Sequence, residues 1–145
     1  MILTRTQIRD ALYDIVAAYA AANPGTLRQV YKARPGSFPE TPLAFIGSIV
    51  TTWTHTGQLR QTVPTSAADI VFVSKITDNV EAKVALDLAA DSIANEISAD
   101  PHVIGANTSA APIGSIEEAI EVGAVVYTAI TLTVGDITIV EGVTT

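Results

Sequence analysis

The sequence predicts an α+β fold, in which a mainly antiparallel β-sheet packs against two principal α-helices. Two segments carry apolar residues at helical spacing, and shorter segments rich in β-branched residues lie between and after them. Short turns join most of these extended segments, and strands joined by short turns pair antiparallel. The 145 residues are expected to form one domain, residues 1–145, because a chain that is 48% hydrophobic can build a single core.

The first helix is predicted over residues 4–22. Thr4 and Gln7 form a capping box, in which each side chain accepts a hydrogen bond from the other residue's backbone N–H. The apolar stripe that follows has helical spacing: Ile8, Leu12, Ile15, Tyr19 and Ala22. Because Pro24 disfavours helical geometry in the residue before it, the helix is expected to end at residues 23–25.

Extended segments are predicted after this helix. A short one covers residues 27–32, a loop with three prolines covers 34–42, and a long strand covers 43–54. Side chains of a strand alternate between its two faces, so the long strand is expected to place large apolar residues on one face. These residues are Leu43, Phe45, Ile49 and Trp53. Core packing is therefore the expectation for Trp53.

The rest of the first half is predicted to be strand and turn. Residues 59–63 pair back after a turn at Gly57, and residues 64–67 form a loop that begins with a proline. Residues 70–76 form a strand because they are rich in β-branched residues.

The second helix is predicted over residues 79–98, with a capping box formed by Asp78 and Glu81. Its main apolar stripe consists of Ala82, Leu86, Ala89, Ala90, Ile93 and Ile97. A lesser stripe on another side consists of Val80, Val84 and Leu88. A surface helix needs one stripe, so two stripes indicate two contacts. Either the helix is wedged between the sheet and the first helix, or the lesser stripe meets a neighbouring subunit.

The last third of the chain is predicted to hold a long loop at residues 99–114 and then three strands. Apolar and charged residues alternate over 116–122, which indicates a strand, with a short helix capped by Ser115 as the alternative. A second strand covers 125–134. Gly135 and Asp136 are a two-residue hairpin signal, and residues 137–140 return as the third strand and lie at an edge of the sheet.

Charge is divided along the chain. Seven of the eight Lys and Arg residues precede residue 76, whereas eleven of the fifteen acids follow it, so the two halves carry +3 and −10. A folded domain is then expected to have a basic side and an acidic side, which are complementary when copies stack head to tail. Arg28, Lys32 and Arg34 form the one loose basic group, and they are the candidate interface residues together with Phe38. The alternative is that the asymmetry serves only solubility.

The sequence offers no recognisable catalytic or cofactor site. The chain has no cysteine, its two histidines, His55 and His102, have no partner at ligand spacing, and no glycine-rich phosphate loop is present. We therefore expect no catalytic residue, no cofactor and no metal. A net charge of −7 argues against nucleic-acid binding, and the longest apolar run has eight residues, too few to cross a membrane.

Two features keep alternatives open. Glu117, Glu118 and Glu121 suggest a carboxylate pair, but on a strand Glu117 and Glu121 share the face opposite Ile116, which is typical of a solvated face. Phe38 lies in the proline-rich loop between polar residues, where an aromatic ring either caps the core or is presented to a partner.

Four segments together resemble the tail terminator, or tail completion, proteins of long-tailed bacteriophages. They are residues 9–16 (RDALYDIV), residues 42–46 (PLAFI), the acidic second helix ending at residues 99–101, and residues 126–133 (VYTAITLT). The similarity is one of element order and pattern over most of the chain.

The resemblance implies a small α+β subunit of a homo-oligomeric ring, usually of six copies, in the virion at the head-proximal end of the tail. Such a ring caps the tube built by the tail tube protein, ends its polymerisation and forms the surface that head-tail connector proteins join. DNA passes through the ring without specific binding, no membrane is involved, and assembly takes place in the host cytoplasm. A connector or stopper protein of the phage neck is the alternative, and a small carboxylate-based hydrolase is the alternative from another class.

Overall fold

The computed structural model describes residues 4–38, 40–56, 61–75, 80–105 and 107–139. Seven elements follow one another in this part of the chain: α1 (Arg5–Ala22), β1 (Gln29–Tyr31), β2 (Leu43–Thr56), β3 (Gln61–Lys75), α2 (Val80–Ala99), β4 (Thr108–Val122) and β5 (Val125–Ile139). The strands form one sheet in the order β1-β2-β3-β5-β4. β1 runs parallel to β2, and every other pair is antiparallel. The predicted α+β class is confirmed.

Both helices pack on the same face of the sheet, which we call the helix face. The main core contains buried residues of α1 and α2 together with Ala44, Ile46, Ile70, Phe72 and Leu132 of the strands. The opposite face, which we call the open face, has a smaller cluster of its own and no helix over it in the described part of the chain. The protein is thus a two-layer structure in which apolar side chains occupy both faces of the sheet.

The start of α1 follows the sequence closely. The Thr4 side chain accepts a hydrogen bond from the Gln7 backbone N–H at 3.2 Å, and the Gln7 side chain accepts one from the Thr4 N–H at 2.8 Å. Such a cap stabilises a helix by about 1 kcal/mol. The helix ends at Ala22, where the N–H of Asn23 still donates to the carbonyl of Tyr19 at 3.0 Å.

A β-bulge in β2 changes which side chains reach the core. Ile46 pairs with Ile70 and Ile49 pairs with Ala68, so residues 47 and 48 together face one residue of β3. A Cβ on Gly47 would lie 3.3 Å from the Cβ of Asp69, a close approach that favours glycine. The bulge moves Ile49 to the helix face, and the prediction that Ile49 shares the face of Leu43 and Phe45 is wrong.

The expected core position of Trp53 is also wrong. Its side chain is 50% exposed. β2 continues to Thr56 and β3 begins at Gln61, but β5 pairs with β3 only from Ser66 onward. The end of the β2–β3 hairpin is therefore a two-stranded ribbon beyond the three-stranded part of the sheet, and Trp53 lies on it.

The turns predicted at Pro64 and at Gly135 are both wrong. Pro64 lies inside β3, opposite Trp53, so the predicted loop at residues 64–67 is wrong. It is tolerated because β5 does not pair with this end of β3. β5 also passes through residues 135–136 without a hairpin, and Asp136, with φ of 54°, marks an irregularity in the strand. Residues 137–139 lie between β3 and β4, so they are not a sheet edge as predicted.

The hairpin between β4 and β5 turns at residues 123–124 instead. Val122 pairs with Val125, and Gly123 has φ of 65°, the positive value that a two-residue hairpin turn needs at its first position. β4 begins at Thr108, so the predicted loop at residues 99–114 is too long, and residues 115–118 are strand, not helix.

Five of the six residues predicted for the main stripe of α2 are buried, and Ala82 is partly exposed; the buried ones are Leu86, Ala89, Ala90, Ile93 and Ile97. Val80, Val84 and Leu88 are 76%, 58% and 58% exposed, so the explanation in which α2 is wedged between the sheet and α1 is wrong. The predicted cap at Asp78, the turn at Gly57 and the strand ends at residues 76 and 140 lie outside the described residues.

Candidate functional site

The basic candidate residues lie at one edge of the sheet. Arg28 precedes β1 and Lys32 follows it, and among the described strands β1 pairs with β2 alone. The Lys32 ammonium is 3.2 Å from the Asp10 carboxylate and 5.3 Å from the centre of the Tyr13 ring. The segment 28–34 carries three cations and no acid, so this edge is positively charged. We call it the basic edge.

Two arginines of α1 bind backbone carbonyls of β2, and one of them, Arg9, also binds a carbonyl at the basic edge. Arg9 Nη1 donates to the carbonyl of Lys32 at 2.8 Å and to the carbonyl of Ile46 at 3.0 Å. Arg5 donates to the carbonyl of Ile49, on the other side of the bulge. The two guanidinium groups therefore bind the carbonyls that flank the bulge in β2. This role is not evident from the sequence, although the spacing of four residues places Arg5 and Arg9 on one side of the helix.

Phe38 takes the first of its two predicted alternatives and caps a core cluster. Its side chain is 4% exposed. Its ring stacks on Phe45 at a centroid distance of 6.0 Å and meets the Tyr127 ring edge-on at 5.0 Å. The Arg34 guanidinium lies 5.8 Å from the Phe38 ring centre on the outside. The loop therefore exposes the side chain of Arg34 and buries that of Phe38.

The acidic residues lie at the opposite edge. β4 pairs only with β5 in the described part of the sheet, and it carries Glu117, Glu118 and Glu121 with no Lys or Arg. Asp87 and Asp91 of α2 border a small cleft with Ser115 and Glu117. Together α2 and β4 contain seven carboxylates and one lysine, a formal charge of −6. We call this side the acidic edge.

The helices extend both edges into the second layer. α1 packs mainly on β1 and β2 and also contacts β3, whereas α2 packs on β3, β4 and β5. One side of the molecule is therefore α1 with the basic edge, and the other side is α2 with the acidic edge. The division of charge along the sequence becomes a division across the width of the sheet.

The glutamates of β4 do not converge on one site. Glu117 pairs in register with Ile130, whose side chain is in the helix-face core, whereas Glu118 pairs with Ala129, whose side chain is on the open face. All three glutamates are exposed. As predicted, Glu117 and Glu121 lie on the face opposite Ile116.

A groove of about 620 Å³ lies on the open face. Arg9 and Arg34 line it on the β1 side and Glu118 lines it on the β4 side. At its floor the Asp69 carboxylate accepts a hydrogen bond from the Thr133 hydroxyl at 2.9 Å. The groove thus spans the sheet from the basic edge toward the acidic edge.

The two histidines are the remaining residues that were considered as metal ligands. His102 Nδ1 is 2.7 Å from the carbonyl of Thr108, and its backbone N–H donates to Asp100, so His102 fastens the loop before β4 as a hydrogen bonder. The side chain of His55 is outside the described part. Among the described residues, no group of three or more His, Asp or Glu side chains is arranged to hold a metal ion.

Comparison with protein-family models and with curated proteins finds no match. Neither described helix combines the length and the apolar character needed to cross a membrane.

Proposed function

We propose that this protein is a structural subunit of a phage tail, which caps the end of the tail tube as a ring of identical copies and provides the surface to which the head joins. The observation that carries the proposal is the placement of opposite charges on the two edges of one sheet. A subunit with complementary edges binds a copy of itself head to tail, and such contacts either close into a ring or continue as a filament.

The edges supply more than charge. Both outer strands, β1 and β4, have one side that is unpaired within the described chain, and an unpaired strand edge can bind a strand of another copy. Exposed ion pairs contribute only about 0.2–1 kcal/mol each, so charge sets the order of the subunits while strand and apolar contacts hold them. β4 carries three glutamates near its C-terminal end and no Lys or Arg, so it attracts a basic strand edge more than another β4 edge.

We assign the ring to a phage tail because the chain resembles tail terminator proteins. Its order of elements, helix, strands, acidic helix and strands, is the order present in the structure. A cap of this kind works by occupying the last ring of the tube, and it needs no catalytic residue.

The experiment reverses the charge of the basic edge by changing Arg28, Lys32 and Arg34 together to Glu. We expect a folded protein that no longer forms rings, whether alone or on tail tubes, because the acidic edge then meets another acidic edge. The measurements are mass in solution against protein concentration and negative-stain images with tail tubes. The matched control changes Arg5 to Gln, because Arg5 belongs to α1 and binds within its own subunit.

Three outcomes are informative. Wild-type rings at the head-proximal end of tubes, lost in the triple variant, support the proposal. A wild-type protein that stays monomeric in solution and binds neither tubes nor heads contradicts it. Wild-type rings that bind heads but not tubes would favour a neck connector over a tube cap.

A further inference from the structure

The most exposed apolar surface of the described helices is a stripe on α2, which we call the α2 stripe. It consists of Val80, Val84 and Leu88, whose side chains are 76%, 58% and 58% exposed. Large apolar side chains that adjoin one another in this way, unlike scattered ones, mark a surface that another molecule covers.

Helix geometry places the stripe away from the protein's own core. Residues four apart advance by about 40° around a helix, so the three side chains form one row. The buried residues of α2, such as Leu86 and Ile93, lie roughly 160° from this row. A change of rotamer therefore cannot bring these three side chains into the core formed by the described residues.

The stripe is continuous with the acidic edge. Asp87 and Asp91 lie beside the row on the helix and border the cleft that β4 lines with Ser115 and Glu117. Glu81 is exposed at the start of the same helix. An occupant of the stripe therefore meets carboxylates around an apolar strip, and it needs cations beside apolar groups.

The protein itself has such a surface. At the basic edge the Lys32 ammonium lies 5.3 Å from the ring centre of the partly exposed Tyr13, and Arg28 and Arg34 are exposed close to the same strand. We propose that the α2 stripe docks on the basic edge of a second copy of this chain, and that this contact is the apolar part of the subunit interface. The inference rests on the proposed function for its biological meaning, but the contact itself is measurable in the isolated protein.

The test changes Val84 and Leu88 together to Gln, which removes apolar surface but keeps a good helix former at both sites. We expect wild-type protein to self-associate with a dissociation constant tighter than about 1 mM, and the double variant to associate at least about tenfold more weakly. The matched control is Ala99→Gln, which adds the same side chain at the exposed last residue of α2, roughly 16 Å along the helix from Leu88. Sedimentation equilibrium measures association, and circular dichroism checks that helix content is unchanged.

A mixing experiment then identifies the occupant. The stripe variant keeps an intact basic edge, and the variant with Arg28, Lys32 and Arg34 changed to Glu keeps an intact stripe. Each variant should associate only weakly alone, but an equimolar mixture should form a tighter heterodimer that grows no further, because one intact contact surface remains on each partner. A stripe-to-stripe contact would not give this result.

Each failure has its own meaning. A wild-type protein that is monomeric at about 1 mM, a stripe variant that associates as the wild type does, or a mixture that stays monomeric would overturn the α2 contact. None of these results decides the outcome of the tube-capping experiment, in which the proposed function is contradicted if no ring forms on tubes. A heterodimer in the mixture without any binding to tubes would keep the contact and overturn the proposed function.

Discussion

At the scale of single residues, burial separates side chains that hold the protein together from side chains that are free to bind. Trp53 is exposed where its sequence context predicts core packing, whereas Phe38 takes the core-capping position, one of the two that its context allows. Phe38 comes from a polar, proline-rich loop and is buried between Phe45 and Tyr127, whereas Trp53 comes from an apolar strand and is half exposed.

The first prediction follows from the position of Phe38. Changing Phe38 to Ala should lower the free energy of unfolding by about 3–5 kcal/mol, because it removes a buried ring and leaves a cavity beside two aromatic partners. Phe38→Leu is the matched control and should cost less, since it keeps most of the apolar volume. Urea denaturation measures both. A loss below about 0.5 kcal/mol, typical of a surface site, would contradict the burial.

The second prediction uses Trp53, which is the chain's single tryptophan. Its fluorescence emission should resemble that of a hydrated indole, and acrylamide should quench it readily in the native protein, because half of its side chain is exposed. Denatured protein provides the reference for full exposure. A strongly blue-shifted emission that acrylamide quenches poorly would instead place Trp53 in a core.

At the scale of elements, two irregularities determine where side chains of long strands lie. The bulge at residues 47–48 reverses the alternation of β2, and Arg5 and Arg9 bind the carbonyls on either side of it. Asp136 interrupts β5 in the same way, with a backbone conformation that glycine, Asn and Asp adopt more easily than other residues.

The third prediction tests Asp136. Asp136→Val should lower the free energy of unfolding by about 1–2 kcal/mol, because a β-branched residue is strained at positive φ. Asp136→Gly is the matched control and should leave stability unchanged or slightly raised, since glycine has no Cβ to strain. Thermal unfolding of the two variants compares them directly. Equal stability of the Val and Gly variants would show that the strain is absent.

At the scale of the whole molecule, the fold places the basic and acidic parts of the chain on opposite edges of one sheet. β1, with its flanking cations, and β4, with its glutamates, are the two outer strands, so three strands separate them. The charge difference along the sequence thereby gives the two edges of the sheet opposite charges, and head-to-tail assembly requires two different, complementary surfaces of this kind.

The fourth prediction is the salt dependence of that assembly. The dissociation constant for self-association should rise between about 0.1 M and about 1 M NaCl, because the screening length falls from about 10 Å to about 3 Å over this range. The variant with the reversed basic edge is the control, and any residual association in it should not weaken with salt. The measurement is the mass in solution at each salt concentration. A wild-type dissociation constant that does not change with salt would show that charge does not contribute to the interface.

The sequence by itself determined the features that depend on neighbouring residues. The capping box at Thr4, the helical spacing of the apolar residues in both helices and the β-branched run within β3 each act over a few residues, and each predicted its element. The α+β class followed because the order of such elements limits how they pair. The candidate basic residues lie near one strand, β1, because they are close together in the chain, and their role in an interface stays a prediction.

The tertiary structure decided what depends on distant residues. Pro64 and Gly135 are residues typical of turns, yet both lie within strands. Whether a strand tolerates them depends on its neighbouring strands, which are far away in the sequence. The exposure of Trp53 depends on where β5 stops pairing with β3, and the burial of Phe38 depends on Tyr127. The basic and acidic edges lie on opposite sides of the sheet because β5 lies between β3 and β4. This order depends on strand pairing between residues far apart in the sequence.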